Sequence, residues 1–376
     1  VVITSYALLG RDLSVLGDHP WGGVVLDEAQ NIKNPETRAA QAARSLSAGF
    51  RLALTGTPVE NGVGDLWSLF AFLNPGLLGS RGAFDWRYLR PIQRGQDPEA
   101  SERLRRLTGP FVLRRLKTDR SLVEDLPDKV EREVFCPLTR EQASLYRAVT
   151  KETAEALESL QGPELRGVTL GAIMRLKQIC NHPAHFLKED APLEGRSGKL
   201  ERLGEILEEV RAVQDRVLIF TQFAEMGELL RRYVGERFGQ EALFLHGGVP
   251  RLRRDAMVTR FQEDPQGPSV FILSLKAGGT GLNLTRANHV VLYDRWWNPA
   301  VEAQAVDRAF RIGQNRNVQV HRFLCIGTLE EKIAALLERK REVASLSVAS
   351  GEGWLASLAP EELRHLLALE KSALEG

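Results

Sequence analysis

The sequence predicts an α/β protein: two parallel-sheet domains with a helical insert between them. Three observations carry that expectation. Short apolar runs alternate with longer segments of helical period near both ends of the chain, as strands joined by crossover helices do. The strand signal fades between about Leu66 and Ala184 and returns at about Ser197. The length of 376 residues is about 2.5 times the ~150 residues of an average domain.

Taken in order, the first apolar runs are Val1–Thr4, Gly23–Asp27 and Arg51–Thr55. Thr37–Ser47 reads as a helix between the last two, with Asn34 as its cap and Pro35 as its first residue. Asp65–Leu73, Glu99–Leu107, Arg140–Leu160 and Leu170–Ile179 then read as helices separated by Pro and Gly breaks. The second set of strands is Arg216–Phe220, Ala242–Leu245, Val270–Ser274, His289–Tyr293 and Val318–Leu324. Leu329–Ala344 forms an amphipathic helix, and Pro360–Leu369 a short terminal one. The expected boundaries are 1–64, 65–196, 197–327 and 328–376.

Composition narrows the function classes. Hydrophobic residues make up 43% and charged residues 26%, which suits a folded chain and neither a disordered nor a fibrous one. Fifty basic and 49 acidic residues leave a net charge of +1, which excludes a small, strongly basic nucleic-acid module but not a local basic face. Three scattered cysteines make no disulfide framework. No apolar run reaches the ~18–20 residues of a membrane span. A cytoplasmic protein with no membrane partner is the expectation.

Four segments carry chemistry. Asp27 and Glu28 follow an apolar run, and parallel sheets place ligands at the carboxyl ends of their strands. Phosphoryl transfer needs one carboxylate near Mg²⁺ and one group to orient water; Asp27 suits the first role and Glu28 the second. One strand-helix-strand unit later, Thr55-Gly56-Thr57-Pro58 ends another apolar run in small hydroxyl residues. Ala277–Leu284 is a Gly-rich turn whose N–H groups suit an anion. Gln304–Gln314 places Arg308 and Arg311 three residues apart, on one face of a helix, where two guanidinium groups can reach a phosphate. Cys180, His182 and His185 lack a fourth ligand at usable spacing, so zinc is not assigned to them.

In this order the segments resemble the SWI/SNF-type DNA-translocating ATPases of the second helicase superfamily. Asp27–Gln30 stands where motif II of that family lies, and Thr55–Pro58 stands at motif III. Val217–Phe223, Ser274–Leu284 and Gln304–Gln314 stand at motifs IV, V and VI. Leu113–Lys117 leading to Leu126–Lys129, Leu176–Pro183 and Asp294–Pro299 carry the more specific likeness, which runs from Val1 to about Leu369. The Asp-Glu-Ala-Gln spelling is similar to that of the bacterial and archaeal members.

The resemblance implies two RecA-like lobes that close over ATP, the helical protrusions of the family within 65–196, and a brace helix at Leu329–Ala344. It implies Asp27 as the Mg²⁺ ligand, Glu28 as the activator of water, and Arg308 and Arg311 as fingers from the second lobe. Gly279 and Gln304 would lie near the nucleotide, and Thr55, Gly56 and Thr57 would couple hydrolysis to DNA contact. Ser5, Tyr6, Thr221, Gln222, Lys276, Trp297 and Asn298 would lie along the DNA backbone. The implied partner is double-stranded DNA, gripped by a monomer, with RNA polymerase or another DNA-bound protein displaced and a nucleoid location. A strand-separating helicase of the same superfamily and a non-catalytic DNA- or protein-binding platform are the alternatives.

One departure is large. The phosphate-binding pattern G-x-x-x-x-G-K-[ST] does not occur; the only Gly-Lys step is Gly198-Lys199, followed by Leu200. In the order of the family that loop precedes Val1. The first lobe is therefore expected to be partial, with an unpaired sheet edge, and this polypeptide alone to be inactive toward ATP.

Overall fold

The computed structural model describes residues 1–55, 63–93, 97–113, 126–157, 162–275, 281–295, 299–343 and 360–374. The chain divides into two compact units, Val1–Arg115 with Arg339–Trp354, and Leu116–Glu338 with Leu355–Gly376.

In the first unit, β1 (Trp21–Leu26) pairs in parallel with β2 (Ala48–Ala53). Gly23 lies opposite Phe50, and a Cβ there would meet the Phe50 ring at 2.2 Å, so only glycine lets the two strands approach. Leu26, Ala29, Ile32, Ala40, Ala43, Leu69 and Phe72 form the core beneath the sheet. Val25, Phe50, Leu52 and Leu54 are about half exposed. The helix between the strands runs Arg38–Ser45, and Thr37, not Asn34, caps it by accepting the N–H of Ala40. Asn34 instead closes the preceding turn, accepting the N–H of Glu36. Val1–Thr4 is not a strand: it is irregular and exposed, with no ladder partner among the described residues. Helices Val63–Leu73 and Pro98–Thr108 match their expected positions.

The second unit is built on a six-stranded, wholly parallel sheet in the order β3-β8-β7-β4-β6-β5. The strands are β3 (Lys129–Cys136), β4 (Val217–Thr221), β5 (Ala242–Leu245), β6 (Val270–Ser274), β7 (His289–Leu292) and β8 (Val318–Cys325). Alternate residues serve opposite layers. Val217 and Ile219 pack with helices Gly198–Ala212 and Ala224–Phe238, whereas Leu218 and Phe220 pack with Phe261, Ala305 and Val306. This double burial is why these strands read as continuous apolar runs.

β3 lies inside the stretch whose sequence reads as helical. It is an edge strand, and Lys129, Glu131, Arg132 and Glu133 give it the charged composition by which edges resist further pairing. Glu131 is held by Arg322 of β8 at 2.5 Å and by Lys129 at 2.6 Å. The helices Arg140–Leu157 and Gly162–Asn181 pack together, and the N–H of Leu329, which opens helix Leu329–Val343, donates to the buried Tyr146 hydroxyl at 2.9 Å. Among the described residues no helix is long and apolar enough to cross a membrane.

Candidate functional site

The first unit gathers its candidates at the carboxyl ends of β1 and β2. Leu54 N–H donates to Leu26 O at 2.8 Å and Ala29 N–H to Leu54 O at 2.9 Å, which stitches the two strand ends together. Between them the backbone of Glu28 takes φ 48° and ψ 52°, a left-handed conformation that a non-glycine residue holds at a cost of about 1–3 kcal/mol. The Asp27 carboxylate accepts the Glu28 N–H at 2.9 Å through Oδ1. Asp27 is exposed, and a carboxylate open to solvent is the kind of oxygen ligand that a hard cation takes.

The Glu28 carboxylate is oriented in turn. Gln30 Nε2 donates to Glu28 Oε2 at 2.7 Å, and Thr55 Oγ1 donates to Gln30 Oε1 at 2.8 Å. One amide therefore links the carboxylate at the end of β1 to the hydroxyl at the end of β2. Gln30 was visible in the sequence only as the last letter of a motif. Its role comes from a side chain with one donor and one acceptor end, placed between a pure acceptor and a hydroxyl.

Tyr6 joins this group. Its hydroxyl donates to the Asp27 carbonyl at 2.7 Å. Burial pushes the phenol up to about 12, and the Asp27 and Glu28 charges push the same way. Ser5 caps helix Tyr6–Arg11, accepting the Leu8 N–H at 3.3 Å. Tyr6→Phe is expected to lower stability by about 1 kcal/mol, the net worth of one hydrogen bond. Urea midpoints check this, and an unchanged midpoint would show that the bond carries nothing.

In the second unit, Thr221 and Gln222 meet Asp294 at the carboxyl ends of β4 and β7. Asp294 is buried and accepts from the Thr221 hydroxyl, from Gln222 N–H at 2.9 Å and from Asn181 Nδ2 at 3.1 Å. Burial raises the Asp294 pKa, opposed by the Lys177 charge and the Thr221 hydrogen bond. Lys177 Nζ donates to Arg295 O at 2.6 Å, and burial holds the Lys177 ammonium down to about 8. Thr221 is fully buried with its hydroxyl turned to Asp294, whereas Gln222 is only half-buried. The sequence did not single out Asp294, Asn181 or Lys177 as site residues. Asp294 carries the signal that identified Asp27, a carboxylate directly after an apolar strand.

The arginines are arranged differently from the helical reading. The helix that contains Gln304 runs Pro299–Val306 and ends before either of them. Arg308 and Arg311 therefore lie in turns, not on one helical face. Arg308 is 6% exposed, and its carbonyl accepts Leu284 N–H at 2.9 Å. Arg311 is exposed, and its Nη1 lies 3.4 Å from the carbonyls of Gly281 and Leu282. Gly313, with φ 98°, makes the turn that a helix would not. Gln314 closes it by donating to the carbonyls of Ala287 and Ala309. Gly56, Thr57, Lys276, Gly279, Trp297 and Asn298 lie outside the described residues. His182 is engaged at both ring nitrogens, accepting Ala184 N–H at 3.0 Å and meeting Leu193 O at 2.9 Å, while Cys180 lies near Cys325 and Glu330.

The sequence pattern of the SNF2-related domain matches residues 1–185, and that of the helicase conserved C-terminal domain matches residues 198–313. Over 375 residues the chain is 46% identical to the putative ATP-dependent helicase/translocase YwqA of Bacillus subtilis (strain 168), which covers 99% of this chain and 40% of that protein. It is 38% identical over 359 residues to the Zorya protein ZorD of Escherichia coli O139:H28, covering 92% and 33% respectively. It thus spans less than half the length of these curated relatives. The solved Sulfolobus solfataricus SWI2/SNF2 ATPase core in complex with dsDNA is 44% identical with a TM-score of 0.59, covering 97% of this chain and 76% of that one. Two parallel-sheet units with strand-end carboxylates, ordered motifs and this degree of identity have one reading: the chain belongs to the SWI2/SNF2 ATPase family.

Proposed function

We propose that the chain is the C-terminal part of a DNA-dependent ATPase that translocates on double-stranded DNA and remodels protein–DNA complexes. The observation that carries this reading is the link Glu28–Gln30–Thr55, which ties a water-orienting carboxylate to the strand end that follows it. Glu28 orients the attacking water, and Gln30 holds that carboxylate in one rotamer. Arg308 and Arg311 stabilise charge on the transferring phosphoryl group. Mg²⁺, held by Asp27, would neutralise the phosphate oxygens. Gly279 and Gln304 belong to the nucleotide side of this assignment, and Gly56 and Thr57 extend the coupling segment.

DNA contact falls to Ser5, Tyr6, Thr221, Gln222, Lys276, Trp297 and Asn298. Gln222 is the best placed of those described, since Asp294 fixes its N–H while its side chain is half-buried. Thr221 acts through its hold on Asp294. A motor that steps along a duplex binds backbone phosphates and reads no bases. The named relatives, a helicase/translocase and a duplex-bound ATPase core, support duplex DNA as the track. RNA polymerase or another DNA-bound protein is the species displaced by a monomeric motor in the cytoplasm, at the nucleoid.

The 376-residue polypeptide by itself is expected to bind duplex DNA and to release no phosphate from ATP, because the cradle for the phosphates is not in its sequence. Fluorescence anisotropy checks the first part: affinity should be alike for unrelated duplexes and fall steeply with salt. A phosphate-release assay with added duplex checks the second, and sustained turnover would overturn it. Preference for single strands over duplex would favour the strand-separating helicase, and binding to neither would refute DNA as the track.

A further inference from the structure

A cleft opens at the amino ends of the strands of the larger sheet, with a volume of about 750 Å³. Its walls come from residues just ahead of four strands: Arg216 before β4, Ser269 before β6, Arg286 before β7 and Arg316 before β8. These strands are parallel, so the four positions share their amino ends, whereas Thr221, Gln222 and Asp294 lie at the carboxyl ends. None of the residues assigned to nucleotide or DNA lines it.

The lining carries a surplus of positive charge. Its two acids are already neutralised, Glu208 by Arg237 at 2.8 Å and Asp215 by Arg316 at 2.5 Å. Arg211, Arg216 and Arg286 remain, and none of the three pairs with a carboxylate among the described residues. Arg216 is only 6% exposed. Its guanidinium donates to the carbonyls of Phe261, Asp264 and Pro265, and no carboxylate oxygen pairs with it among the described residues. Burial lowers the Arg216 pKa and the Arg286 charge lowers it further, as two like charges facing one space do, while the Asp264 charge opposes them more weakly. Arg211 lies against the Phe238 ring at 5.0 Å, which orients its exposed head.

We propose that this cleft is an oxyanion site that takes a phosphoryl group, with Arg211 and Arg286 as its contacts and Arg216 as the fixed charge behind them. A phosphoryl group carries more than one negative charge and presents three acceptor oxygens, which suits three guanidinium groups better than a single carboxylate does. The group comes either from a nucleic-acid backbone or from a free phosphate compound.

Calorimetric titration of the 376-residue chain with inorganic pyrophosphate, at low ionic strength, tests the site. Saturable binding is expected, weakened about tenfold by Arg286→Ala and again by Arg211→Ala, and unchanged by Arg251→Ala. The three replaced side chains are exposed, so matching urea midpoints will show that the fold is intact. Arg311→Ala reports on the nucleotide residues separately, which keeps a failure of that reading distinct from a failure of this one. A duplex that displaces pyrophosphate identifies the backbone as the source, and pyrophosphate that stays bound identifies a free phosphate compound; both uphold the site. No saturable binding, or binding that Arg286→Ala and Arg211→Ala leave intact, would overturn it.

Discussion

Lys199→Met is expected to destabilise the second unit by about 3–5 kcal/mol, the loss that follows when one member of a buried ion pair is removed. Lys199 and Glu330 are 0% and 1% exposed at their side chains, with Nζ and Oε1 2.8 Å apart. Burial works against the Lys199 charge, but the Glu330 carboxylate together with Cys325 and Cys180 outweighs it, and the ammonium pKa ends above its ordinary value. Nζ also donates to Asn181 Oδ1 at 3.2 Å and lies over the Tyr293 ring at 5.7 Å. With methionine in place, the Glu330 carboxylate loses its paired cation and keeps the Cys325 N–H at 3.1 Å. The double replacement Lys199→Met with Glu330→Gln removes both charges, and most of the loss is expected to return. Urea unfolding followed by circular dichroism measures all three proteins. A single variant that unfolds at the wild-type midpoint would refute the account.

Acidification from pH 6.5 to pH 4 is expected to destabilise the same unit by about 3 kcal/mol for each of His185 and His321. His185 is 3% exposed, with its ring edge-on to Phe223 at 4.8 Å and neither nitrogen bonded. His321 is 9% exposed and stacks on His289 at 5.8 Å. Burial lowers both rings to about 4, and His289 adds to the effect at His321. The unfolded chain titrates near 6.5, so between the two values the unfolded state binds protons that the folded state refuses. Stability is therefore fully present above 6.5, falls as pH drops through the window, and levels off below 4. Burial lowers His182 and His289 as well, which steepens the slope in the same direction. Urea midpoints from pH 7.5 to 4.5 measure it. His185→Leu and His321→Gln should each flatten the profile, and a slope that neither variant changes would place the acid sensitivity elsewhere.

Legibility followed the range of each interaction. β4 to β8 were visible because a strand buried on both faces is an apolar run whatever surrounds it. β3 was not, because an edge strand carries charges that read as a helix surface, and Glu131 is explained only by Arg322 across the ladder. The carboxylates Asp27 and Glu28 could be found from their place after a strand. Their orientation could not, since it depends on Thr55 arriving beside Gln30 from the next strand. Arg308 and Arg311 were expected on one face of a helix, and the structure places both in turns beyond it. Spacing of three is compatible with a turn as well as a helix, and Gly313 was the local sign that favoured the turn.

By itself the sequence determined the fold class, the order of the motifs and the family, since strand alternation and motif spelling are local patterns that survive without knowledge of the packing. Only the tertiary structure decided which charges are neutralised. Lys199 finds Glu330 across 131 residues of chain, Arg216 hydrogen-bonds to carbonyls and to no carboxylate among the described residues, and Arg286 comes to share a cleft with it. The physical reason is that a charge is stabilised or left exposed to repulsion by what lies within a few ångströms in space, and the order of strands in the sheet sets that neighbourhood.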